Sequence, residues 1–87
     1  MGTTEKFRSI FNESYIVTRW KDKGFDHVGT IFQSEEMEIS FVVGNNIELK
    51  IFEKYRKVEL DIDLLNLILE TKRFIEDLWI QVSLKDL

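Results

Sequence analysis

Between Met37 and Ile51 apolar and polar residues alternate on both sides of a Gly44-Asn45-Asn46 tripeptide. Met37, Ile39, Phe41 and Val43 point one way and Glu38 and Ser40 the other, with Val42 the apolar exception. Ile47, Leu49 and Ile51 resume the pattern against Glu48 and Lys50. A period of two is what a strand with one buried face requires, and Gly and Asn tolerate the positive φ of a tight connection. The stretch is therefore predicted to be an antiparallel hairpin whose apolar face must be covered.

The cover is predicted to come from the C-terminal segment, which is helical from about Asp63, its expected N-cap. At 100° per residue, Leu64, Leu67, Ile68, Phe74, Ile75, Leu78, Trp79 and Val82 fill one face. Glu70, Arg73, Asp77 and Gln81 lie opposite. Leu69 and Ile80 fall outside the apolar arc, near its boundary with the charged side, about three turns apart. Either this helix is buried more deeply than two layers allow, or Leu69 and Ile80 touch something else.

A short N-terminal helix is expected, with Thr3 or Thr4 as N-cap, Phe7, Ile10 and Phe11 on its buried stripe, and an end near residues 12–14. Residues 15–20, rich in β-branched and aromatic side chains, read as a strand, and residues 21–24 as a polar turn. A second strand is expected over about residues 27–33. Beyond a basic turn at residues 53–57, Val58, Leu60 and Ile62 alternate with Glu59, Asp61 and Asp63 as a last strand. The predicted fold is α+β in the order α-β-β-β-β-β-α: a short N-terminal helix, a curled antiparallel sheet of four to five strands, and a long C-terminal helix covering it. With no linker and no repeat, residues 1–87 read as a single domain.

Composition narrows the function classes. A chain of 87 residues buries roughly 60–65% of its unfolded surface, so most apolar side chains go to the core and little remains for an elaborate active site. Zero Cys excludes disulfides, thiolate nucleophiles and Cys-containing zinc sites, and argues for the cytoplasm. Residues 1–6 lack the apolar stretch of a signal peptide, and no window reaches the roughly 18–20 apolar residues of a membrane span. Twelve Lys and Arg against sixteen Asp and Glu give a net charge of −4. That balance disfavours nucleic acid as a partner, because binding it relies on clustered cations. The cations do cluster once, at Lys50, Lys54, Arg56 and Lys57, between acidic segments.

The chemical inventory is thin. His27 is the one histidine, and Ser34 or Ser40 would have to be brought to it by the fold for acid–base chemistry; a partly exposed strand histidine is the simpler reading. No GxSxG, HExxH or glycine-rich phosphate loop is present. Glu59, Asp61 and Asp63 would line one strand face, as a hard-cation site or, more simply, as solvated surface. Glu35, Glu36 and Glu38 form a second acidic group that suits a basic partner. Trp20 beside Arg19 and Lys21 resembles a base-stacking platform but reads better as a rim of the core, and Phe52 and Tyr55, which flank the basic segment, read as a rim of the core rather than a docking patch. No catalytic, cofactor-binding or metal-binding residue and no small-molecule substrate is expected.

The expected function is a non-enzymatic protein-interaction or regulatory module whose partner is another protein or a second copy in a homodimer. Leu69 and Ile80, or a sheet edge, would form the contact. In size and layout alone the chain resembles small phage, mobile-element or bacterial regulatory proteins that act by binding others. The alternative is an acidic inhibitor, immunity-type protein or nucleic-acid mimic that blocks a basic groove through its carboxylate rows, Glu35, Glu36 and Glu38 or Glu59, Asp61 and Asp63. A small enzyme is a distant third.

Overall fold

The computed structural model describes residues 2–44, 47–54 and 59–85. Helix α1 (Thr3–Asn12) follows Gly2, which holds the extended backbone of an N-cap in place of the expected threonines. Phe7 and Phe11, one turn apart, are fully buried, whereas Ile10 is exposed. The amides of Glu13 and Ser14 close the helix by donating to the carbonyls of Ile10 and Phe11.

Residues 15–20, expected as a strand, are instead the core of helix α2 (Tyr15–Asp22). Ile16, Val17 and Trp20 are its buried side chains. Their i, i+1, i+4 spacing puts all three on one helical face, which alternation along a strand would have split. Burial of that stripe overrides the strand propensity of the individual residues. Gly24, at φ +91°, ends the helix in a Schellman motif. Its amide donates to the Lys21 carbonyl (3.0 Å) and the Phe25 amide to the Trp20 carbonyl (3.1 Å). The apolar contact that accompanies this motif is Trp20 against Phe25, ring centroids 4.9 Å apart.

Four antiparallel strands follow, β1 (Asp26–Val28), β2 (Ile31–Gln33), β3 (Met37–Val43) and β4 (Ile47–Glu53), in sheet order β1-β2-β3-β4. The single strand expected over residues 27–33 is a hairpin, with Val28 paired to Ile31 across Gly29-Thr30. Gly29 sits at φ +60°, and no non-glycine residue described has positive φ. That combination is the type II′ turn, which wants glycine at its first central position. Ser34 shapes the next connection, its Oγ accepting from the amides of Glu36 (3.4 Å) and Met37 (3.2 Å). The predicted β3–β4 hairpin is present, in register from Met37↔Glu53 to Val43↔Ile47; Asn45 and Asn46 lie outside the described residues. The expected fifth strand is not formed where the chain is described. Val58 and most of the basic turn lie outside those residues, residues 59–61 are irregular, and Ile62 is already helical.

Helix α3 (Ile62–Lys85) begins one residue before its predicted cap, so that the cap itself falls two residues earlier than expected. Asp61, not Asp63, is the N-cap: its carboxylate accepts from the Leu64 amide (2.8 Å) and its carbonyl from the Leu65 amide (2.9 Å). Asp63 lies in the first turn, where a carboxylate meets the positive end of the helix dipole.

The core lies on the sheet face that carries Phe32, Met37, Ile39 and Phe41. It was expected to be covered mainly by the C-terminal helix, but α1 and α2 share that role. Phe11 stands between the layers, its ring 4.5 Å from that of Phe41, 5.9 Å from Phe32 and 6.3 Å from Phe74. Trp20 stacks on Phe32 at 5.4 Å. It is completely buried, so it is neither a rim residue nor an accessible stacking platform. From α3 the core takes Leu67, Ile68, Ile75, Leu78 and Val82, with Leu64, Phe74 and Trp79 partly buried against it, as the periodicity predicts.

Candidate interaction surface

The face of α3 turned away from the sheet is built from the same helical period as the core face. Taking Leu67, Thr71, Ile75, Leu78 and Val82 as the buried arc, rotation by 100° per residue puts Ile62, Leu69 and Ile80 on the opposite side, with Leu65 and Leu84 flanking them. Exposure agrees: Ile62 is 75% exposed, Leu69 55%, Ile80 56%, Leu84 63% and Leu65 42%. Leu69 and Ile80 therefore lie at the middle of the outward face, farther from the core than their predicted place at its boundary. Ile62, Leu65 and Leu84 belong with them and were missed. Ile62 had been assigned to a strand, and Leu65 and Leu84 stand one at each end of the segment, where only a wheel running the full length of α3 brings them together with Leu69 and Ile80.

Between the two apolar groups lie Lys72, Arg73, Glu76 and Asp77, all exposed. Beside this stripe runs a groove lined by Tyr15, Leu69, Glu70, Arg73, Phe74 and Asp77, among others. Arg19 of α2 and Glu70 of α3 close an ion pair at the surface next to it. The Tyr15 ring stands edge-on to Phe74 at 5.3 Å, so α2 supplies one wall.

The acidic residues have a different setting. Glu35 and Glu36 occupy the connection between β2 and β3, and Glu38 sits on the outward face of β3. Glu38 is paired with Lys54 at 3.6 Å; Lys54 also donates to the Gln33 side-chain carbonyl at 3.2 Å, and its amide donates to the Glu36 carbonyl. The fold thus brings a cation into this acidic group. Glu59, Asp61 and Asp63 do not form the expected row, because no strand carries them and Asp61 is spent on capping α3. On the outer sheet face Val28, Val42 and Phe52 are exposed among the charges, so Phe52 is not a rim of the core; Tyr55 lies outside the described residues.

His27 is half-buried on the inner face of β1, its ring 5.3 Å from Phe32 and 6.4 Å from Phe11. Its Nε2 is covered and has no hydrogen-bond partner among the described residues. Burial holds the imidazole below its ordinary range, nearby Lys21 pushes the same way, and a hydrogen bond with the Gly29 backbone opposes both. The ring behaves as a member of the aromatic cluster with its neutral form favoured.

No helix among the described residues is long and apolar enough to cross a membrane. Comparison of the chain with protein-family models, with curated proteins and with solved structures finds no match.

Proposed function

We propose that this protein is a non-enzymatic interaction module that docks through the outward face of α3. The observation that carries the reading is the set of five large apolar side chains, Ile62, Leu65, Leu69, Ile80 and Leu84, left exposed on a helix whose opposite face already fills the core. Exposed single apolar residues are ordinary, but a stripe along one helix face is the form that helix-mediated docking takes. A cytoplasmic location belongs to the same reading, supported by a cysteine-free composition in a domain this small.

The test compares two sets of substitutions in any complex the native chain forms, read by cross-linking and sedimentation. Leu69→Glu and Ile80→Glu should remove the complex while circular dichroism stays native, since neither side chain is part of the core. Reversing Glu35, Glu36 and Glu38 to lysine should change mainly its salt dependence. The opposite pattern, loss on acid reversal and normal assembly of both glutamate variants, would replace this reading with that of an acidic inhibitor acting on a basic groove.

A further inference from the structure

The order of residues along the outward face of α3 identifies its occupant. Between Phe74 and Ile75 lies a midpoint from which Leu65 and Leu84 are equidistant. So are Leu69 and Ile80, Arg73 and Glu76, and Lys72 and Asp77. Rotation along a helix is linear in residue number. In an antiparallel pair about a two-fold axis through this midpoint, residues equidistant from it come to the same height on opposite helices. They face each other where both lie close to the seam, as Leu69 and Ile80, about 10° from it, and Arg73 and Glu76, about 30° from it, do. We infer that α3 pairs with α3 of a second copy, antiparallel, about this midpoint. The inference rests on the proposed docking role of this face and adds the partner and the register.

The chemistry matches along the seam. Leu69 meets the partner's Ile80 on both sides of the centre, and Leu65 and the partner's Leu84 come to the same height on opposite flanks, so apolar side chains border both ends of a seam about 28 Å long. At the centre Arg73 meets the partner's Glu76, with Lys72 on the flank of the partner's Glu76 and Asp77 on the flank of the partner's Arg73. A parallel pair in register would set Arg73 against Arg73 and Glu76 against Glu76, and like charges in juxtaposition disfavour it. All eight residues are exposed. Among the described residues neither Arg73 nor Glu76 makes an ion pair within its own chain, so both remain open to the partner.

Because the chain has no cysteine, single-cysteine variants of it report the register without interference. Leu69 and Ile80 are about 16 Å apart along the axis, far beyond the span of a disulfide. In the antiparallel pair Leu69→Cys alone and Ile80→Cys alone should therefore stay uncross-linked on oxidation, whereas an equimolar mixture of the two should give a disulfide-linked heterodimer. In sedimentation, Arg73→Glu and Glu76→Arg should each weaken the dimer by about tenfold or more, and the double variant should restore it. A native chain that remains monomeric at roughly 200 µM overturns the self-pairing. If Leu69→Glu then still destroys a complex with another protein, the docking role stands and only its partner is wrong. Self-cross-linking of Leu69→Cys, or a double charge reversal no better than the single ones, overturns the antiparallel register.

Discussion

The two faces of α3 obey one helical period but answer to different requirements. The inward face carries Leu67, Thr71, Ile75, Leu78 and Val82, all sealed from water, and its one polar member is fully used. Thr71 Oγ1 accepts from Trp20 Nε1 at 2.9 Å and donates to the Leu67 carbonyl at 2.7 Å. The outward face carries aliphatic side chains of similar size that stay exposed among the described residues. The difference teaches that hydrophobicity along this helix serves two ends: the inward set holds the fold, and the outward set is free to be covered by another surface.

The comparison can be broken most forcefully at the core. Phe11→Ala removes the ring that joins Phe32, Phe41 and Phe74, and should cost about 3–5 kcal/mol in urea unfolding; in a domain this small that approaches the whole stability. Ile75→Ala, on the inward face, should cost about 2–4 kcal/mol. Leu69→Ala, its counterpart on the outward face, should stay within about 0.5 kcal/mol when measured on the monomer at low concentration. Equal losses at the two positions would show that the faces are not distinct.

Thr71→Val tests whether the inward face needs its hydroxyl. The substitution keeps the shape but strands a buried indole N–H, so a loss of about 1–3 kcal/mol is expected in the same assay. Asp61→Ala should cost about 1 kcal/mol through loss of the cap on α3, and Asp63→Ala less, since Asp63 acts only through the dipole. The reverse order would restore Asp63 as the cap.

The smallest effect is the pH dependence set by His27. Its folded form disfavours the proton, so the unfolded chain takes up the proton first as pH falls. Stability from this group is intact above about pH 6.5, declines below it, and levels off once the folded state also protonates. His27→Leu should flatten that part of the stability–pH curve, as followed by denaturant titrations from pH 5 to pH 7.

The hairpin of β3 and β4 and the inward face of α3 were legible because each rests on a long, regular period, which burial follows in β3 and α3, while in β4 it holds at Ile47 and Leu49 and fails at Ile51, which is exposed. The chain before Met37 was harder to read. Tyr15, Ile16, Val17 and Trp20 favour strands individually, and only the Schellman ending at Gly24 and the joint burial of Ile16, Val17 and Trp20 make them a helix. Gly29-Thr30 was a turn signal inside what looked like one strand. The acidic alternation around Glu59 imitated a strand because Asp61 and Asp63 serve the start of a helix. At the candidate surface, Leu69 and Ile80 stood out from the wheel alone. Their companions Ile62, Leu65 and Leu84 required the full length of α3, and the pairing of Glu38 with Lys54 required the register that brings the two together.

The central claim, that the outward face of α3 is an interface between copies rather than a solvent surface, is tested most directly by the concentration dependence of thermal unfolding. Association stabilises the folded state by mass action, so the Tm of the native chain should rise by about 5 °C or more over a hundredfold increase in protein concentration. The Tm of the Leu69→Glu, Ile80→Glu double variant should not move. A native Tm independent of concentration, matched by that variant across the range, would contradict the account.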